Sequence, residues 1–192
     1  MSPEQLLSLL STAARLKTTP RHCFTAPGRQ ESVADHSWRL ALFALLLSGE
    51  AEYADYDMDR VIRMCLIHDL GEAFTGDIPT FVKTEAQGET EDDLFADWVR
   101  TFPEPQRTQW QALLSEMNAL ETREARLYKA LDKLEAVIAH NESDIATWLP
   151  LEYDLQLTHG REQVAFSPTL VRLKAAIDEW TKRKIEEEGE RP

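Results

Sequence analysis

The chain has 192 residues, 43% hydrophobic and 29% charged, enough for one substantial core and too short for two ordinary domains. Its formal net charge of −13, from 34 acids against 21 bases, repels a phosphate polymer, so DNA and RNA are disfavoured as partners. A small anionic substrate stays open wherever a local cation overrides that field. The longest uninterrupted apolar run, Leu40 to Leu47, is too short to cross a bilayer, and Met1-Ser2-Pro3-Glu4 lacks the basic start of a secretory signal. Cys23 and Cys65 are too few for a disulfide framework, which makes a reducing cytoplasm the expected compartment.

In chain order, Leu6, Leu7, Leu9, Leu10, Ala13, Ala14 and Leu16 form a helical apolar face opened by Pro3. Residues 17–30, with Pro20, Pro27 and Gly28 among Lys17, Arg21 and Arg29, read as a loop. Ser32 and Asp35 make a capping-box start for a helix through Trp38, Leu42 and Leu45, apolar nearly all round towards its end and so expected to be central. Asp57 can cap a second apolar helix, carrying Val61, Ile62, Met64, Cys65 and Leu66, that leads into His68. Residues 81–119 read as one acidic, amphipathic excursion with Leu94, Phe95, Trp98, Val99 and Phe102 on its apolar side, broken at Pro103 and Pro105 before Trp110, Leu113, Leu114 and Met117. The acids between Glu85 and Asp97, and the tail Glu186 to Glu190, read as solvated surface. Thr122 caps a helix with a Leu127, Leu131, Leu134, Ile138 stripe; 142–166 is mixed; Pro168 opens a last amphipathic helix. No convincing alternating strand occurs, so the expected fold is all-α, a single domain over 1–192 with a core of about 5–155 and a C-terminal helix of about 168–187.

Five histidines are present, and two stand near the ends of core-type helices: His36 and His68, the latter followed by Asp69, Glu72 and Asp77. Unpaired charges are costly in a dry interior, so this clustering points to a metal held partly by His68 and Asp69. Either motif alone reads more simply as a hydrogen-bonded core histidine or a chance dipeptide. Together on helices expected to pack, they offer imidazole nitrogen and carboxylate oxygen, a donor set suited to Mn, Fe, Co, Ni or Zn. Asp132 is the candidate fourth ligand, since Ala125, Ala136 and Ala139 lie at helical spacing from it. The alternative is that Lys129, Asp132, Lys133 and Glu135 form a solvated, salt-bridged face.

Arg21, Glu31 to Ser37, Ile67-His68-Asp69, Gly71-Glu72, Thr75 to Pro79 and Ala130 to Lys133 occur in the order found in HD-domain phosphohydrolases. The chain resembles that family, and more narrowly its small 5′-deoxynucleotidase branch, over roughly residues 5 to 155. The resemblance implies an HD-domain helical bundle, one divalent metal held by His36, His68, Asp69 and Asp132, and hydrolysis of (deoxy)nucleoside 5′-monophosphates to nucleoside and phosphate. It also implies a homodimer, for which Trp98, Trp110 and Trp148 offer interface residues unless they pack in the core.

Glu72 lies four residues after His68 and projects from the same helical face, with Asp77 in the following turn. The resemblance implies that this pair orients water and handles the leaving-group proton, with the division of roles left open. Arg21 is the candidate phosphate clamp, because a guanidinium grips two phosphate oxygens, with Arg29 or Lys83 as substitutes. The next position often carries tryptophan near the sugar in relatives and is His22 here, which leaves the choice between deoxyribose and ribose open. Lys129, three residues before Asp132, can pair with a site carboxylate or with phosphate, but reads first as a surface lysine. A dinuclear site needs further histidines between His68 and Asp132, and there are none. Two alternatives follow: hydrolysis of another small phosphate ester, and a non-catalytic helical interaction module that keeps the metal site.

Overall fold

The computed structural model describes residues 1–189; Glu186 to Glu188 are exposed, and Glu190 lies outside the described residues. The chain runs α1 (Pro3–Ala13), β1 (Pro20–Ala26), β2 (Arg29–Ser32), α2 (Val33–Leu47), α3 (Met58–Ile67), α4 (Glu72–Thr75), α5 (Glu85–Arg100), α6 (Gln106–Ala119), α7 (Arg123–Glu142), α8 (Glu152–Thr158), α9 (Arg161–Val164) and α10 (Pro168–Glu188). The architecture is helical, as expected. One correction is the loop over 17–30, which forms an antiparallel hairpin pairing Pro20 with Ser32 and Phe24 with Gln30. Only Cys23 is fully buried along β1, so the sequence carries too little alternation to reveal the strand. Pro27 and Gly28, the latter at φ 74°, make the turn.

Local chemistry sets the helix starts. Ser32 Oγ accepts the Asp35 N–H at 3.1 Å while Asp35 accepts the Ser32 N–H at 2.9 Å, a reciprocal cap at the head of α2. Asp57 accepts from Arg60 N–H at 3.0 Å and Thr122 from Ala125 N–H at 3.1 Å, starting α3 and α7. α2 buries Val33, His36, Leu40 and Ala44, one face of its cylinder, and packs on α3 and α7. Its other face is open: Trp38 is 64% exposed and Leu46 71%.

The central element is therefore α7 and not α2. α7 buries Leu127, Leu131 and Leu134, but also Ala125, Ala130, Val137 and Ala139 around its girth, and packs against α2, α3, α9, α10 and β1. The expected excursion is two helices, α5 and α6, held by stacked aromatics: Trp98 lies edge-on to Phe102 at 4.9 Å, and Phe102 to Trp110 at 5.1 Å. Trp98 and Trp110 are thus half-buried in this cluster and Trp148 is buried, so core packing accounts for all three. Glu91 leaves the solvated acidic face: it is buried, and its carboxylate accepts from Lys83 Nζ at 2.8 Å.

Candidate metal centre and active site

Three helices deliver the site. α2 presents His36 in its first turn, α3 ends at His68 with Asp69 following, and α7 presents Asp132. His36 Nε2 lies 3.1 Å from His68 Nε2, 3.3 Å from Asp132 Oδ1 and 3.7 Å from Asp69 Oδ2. His68 Nε2 lies 3.0 Å from Asp69 Oδ2 and 3.5 Å from Asp132 Oδ1. Neighbouring ligands on an ion with bonds of about 2.1 Å stand about 3.0–3.4 Å apart, so these spacings suit a shared cation.

The tautomers decide the fit. His68 Nδ1–H donates to the Cys65 carbonyl at 3.0 Å, and His36 Nδ1–H donates to the Glu135 carboxylate. When neutral, both rings then turn an Nε2 lone pair inward, at each other and at two carboxylates. A cluster of acceptors at such distances requires positive charge. The same demand appears in the titration: against its own burial, Asp69 and Asp132 push the His68 ring up to about 10. Burial opposes ionisation of Asp132, yet Lys129 and the two imidazoles hold it well below the usual carboxylate range. His36, His68, Asp69 and Asp132 can therefore hold a divalent metal.

Lys129 is not a free surface lysine, because its Nζ donates to Asp132 Oδ2 at 2.9 Å and leaves Oδ1 facing the histidines. Nor is the Asp132–Glu135 face solvated: Glu135 is 1% exposed. It accepts from Arg39 Nε at 2.5 Å as well as from His36, and Arg39 also pairs with Glu142. Sequence reasoning places Glu135 only on a solvated face and assigns nothing to Arg39; the available signal is that Glu135 sits one turn after Asp132 on the same helix.

Glu72 is buried at the start of α4, with Oε2 lacking a hydrogen-bond partner among the described residues. Burial first, then the charges of Asp69, Asp77 and Glu91, push its carboxyl up to about 10. Asp77 is raised too, by burial and Asp69, against the opposing pull of Arg21. Gly76 at φ 78° lets the chain leave α4 and swing Asp77 back.

Arg21 enters from β1, with Nε 3.5 Å from Glu31 Oε2, and its Nη1 is buried without a partner among the described residues. Arg21, His22 and Asp77 line a cavity of about 80 Å3 together with Phe81, His140 and Glu152. Lys83 is not brought to that cavity. It lines a larger one, of about 610 Å3, that reaches His68, Asp69 and Lys129 between α5, α6 and α7. His22 Nε2 is 3.3 Å from Glu152 Oε2, and its ring stands edge-on to Phe81 at 5.6 Å.

A helical bundle that gathers two imidazoles and two carboxylates at one point, flanked by proton-holding acids, defines a metal-dependent hydrolase. The chain belongs to the HD domain family, whose sequence pattern matches residues 13–174. It is similar to 5′-deoxynucleotidase HDDC2 of Homo sapiens, 27% identical over 168 residues covering 85% of this chain and 76% of the relative. The Xenopus laevis HDDC2 is 28% identical over 197 residues, 96% of this chain and 91% of the relative. Among solved structures, one described as a predicted metal-dependent phosphohydrolase from Magnetospirillum magnetotacticum MS-1 superposes with a TM-score of 0.75 at 30% identity, over 93% of this chain and 94% of that one.

Proposed function

We propose that this hydrolase is a phosphomonoesterase acting on (deoxy)nucleoside 5′-monophosphates, releasing nucleoside and inorganic phosphate. The observation that carries the reading is Arg21: its buried Nη1 has no partner among the described residues, it lines a cavity with Asp77, and its charge interacts with that of Asp69, so it is a donor waiting for an anion. The names of the curated relatives supply the substrate class. His36, His68, Asp69 and Asp132 are the proposed ligands of one ion drawn from Co, Mn, Fe, Ni or Zn. When bound, that ion supplies charge neutralisation on the phosphoryl oxygens and acidifies water.

The chain's own groups do the rest. Arg21 orients the phosphoryl oxygens; water adds to phosphorus as the bond from phosphorus to the 5′ oxygen breaks; one proton leaves the water and one reaches the departing oxygen. Without a metal, burial and the charge of Asp69 make Glu72 and Asp77 hold protons more tightly than ordinary carboxyls, and their burial beside Arg21 suits a pair that exchanges protons at these two positions.

The substrate set extends to other small phosphate esters on one observation. The cavity beside Arg21 and His22, about 80 Å3, falls well short of the ~300 Å3 at which small-molecule pockets usually begin, so a nucleoside would have to extend into the cavity of about 610 Å3 at His68 and Asp69, whereas a smaller ester would not. The test is phosphate release from a panel of ribo- and deoxyribonucleoside monophosphates and sugar phosphates, with each metal added in turn. Release from deoxynucleoside monophosphates supports the proposal, and no release from any monophosphate overturns it.

We also propose a homodimer that covers the outer face of α2, where Trp38, Leu42, Leu45 and Leu46 are exposed at helical spacing. The cytoplasm is the proposed compartment, supported by Cys23 and Cys65 as unpaired, buried thiols. Among the described residues no helix is long and apolar enough to cross a membrane.

A further inference from the structure

A second group of metal-ligating side chains stands where β1, α7 and α8 meet. His22, His140 and Glu152 each bring one ligand atom to within 4.8 Å of the others. Glu152 is 0% exposed and held in place, its Oε2 accepting the Leu149 N–H at 2.7 Å. His140 Nε2 is 2.9 Å from Glu152 Oε1, and His22 Nε2 is 3.3 Å from Glu152 Oε2.

The His140 ring repeats the device seen at His68. Its Nδ1–H donates to the Ala136 carbonyl at 2.9 Å, so the neutral ring turns an Nε2 lone pair at a carboxylate oxygen. Two acceptors at that distance need a cation at Nε2, either a proton or a metal. Neighbours keep the geometry: Trp148 Nε1–H donates to the His140 carbonyl at 3.0 Å, and Phe81 backs His22 edge-on. The adjoining cavity of about 80 Å3 leaves room for water to complete a coordination shell, and His159 also lines it.

We propose that His22, His140 and Glu152 form a second, separate divalent-cation site, selective for zinc and similar borderline ions. Two imidazoles and one carboxylate with an open position match the donor set that zinc takes, and disfavour magnesium and calcium, which want oxygen alone. A bound ion would tie the hairpin to α7 and α8 and fix His22 next to Arg21. The site shares no ligand with the centre at His36, so filling one leaves the other chemically free.

The test uses the full chain, stripped of metal and titrated with zinc against a chromogenic chelator, with elemental analysis as the count. The proposal expects two zinc ions per chain in the wild type, and one in Asp132→Ala, which keeps only the second site. His22→Ala and His140→Ala keep the first ion and weaken the second by at least the ~10–100-fold that losing even an outer-shell partner costs. Zinc absorption spectra of Asp132→Ala, with imidazole scattering reduced in Asp132→Ala/His140→Ala, support the assignment. His22 lies on a hairpin and is half-exposed, so its variant tests binding even where the others disturb folding. A single zinc in the wild type, with a proton alone bridging His140 to Glu152, overturns the proposal. So does a second zinc that both histidine variants retain.

Discussion

Glu135 stands directly behind His36: its Oε2 takes the Nδ1–H of the ring, while its Oε1 accepts from Arg39 Nε at 2.5 Å. This fixes both the tautomer and the angle at which Nε2 faces Asp132 and His68. Burial works against the Glu135 charge, yet His36, Arg21 and Arg39 hold its carboxyl below the usual range. Glu135→Gln keeps the volume and removes the charge. We expect metal affinity at the HD centre to fall by roughly 10–100-fold, measured by chelator competition, with the helical spectrum retained. Wild-type affinity in that variant would dismiss Glu135 as a positioning residue.

Gly71 tests the packing that brings α5 to the site. A Cβ there would meet Glu91 Cγ at 2.8 Å and the Glu91 carbonyl at 3.1 Å. The side chain of Glu91 can move, but its backbone is held within α5, and Phe95 Cβ stands 3.4 Å from the added carbon. Gly71→Ala should therefore cost on the order of 1–3 kcal/mol, seen as a fall of several degrees in Tm. An unchanged Tm would mean that α5 yields freely and that Lys83, carried near its start, is loosely placed.

Much of this was legible from residue chemistry. The caps at Ser32, Asp57 and Thr122 and the prolines at the heads of α1 and α10 mark helix starts through local hydrogen bonds and fixed φ, which do not depend on the rest of the fold. Residues that meet across the chain were harder. Glu135 looks like one more charge on α7 until Arg39, nearly a hundred positions earlier, is placed beside it. Trp38 and Trp98 traded places for the same reason: hydrophobicity says that a side chain seeks cover, and only packing says whether cover exists.

That uncovered face of α2 leads to a test of assembly. Trp38, Leu42, Leu45 and Leu46 lie along one side of the helix, facing away from its contacts with α3 and α7. Trp38→Glu with Leu46→Glu should leave the core unchanged while converting a dimer to a monomer, read by light scattering at micromolar concentration. A wild type that is already monomeric removes the proposed interface.

Glu72 offers the sharpest prediction, because its cost to the fold and its proposed use in the reaction pull in opposite directions. In the metal-free protein, burial and the charges of Asp69 and Asp77 raise its carboxyl to about 10, from an ordinary value of 4.5. The folded chain thus keeps a proton that the unfolded chain releases above pH 4.5, so this group's contribution is fully present below that pH and is lost as pH rises towards 10. Glu72→Gln carries no such proton. Its metal-free stability should fall less steeply than that of the wild type between pH 5 and pH 9, measured by urea unfolding. With metal restored, the same variant should keep its metal content and lose at least about a hundredfold in turnover, the scale of one acid–base group. Parallel stability curves would contradict the raised carboxyl, and wild-type turnover would take Glu72 out of the proton transfers.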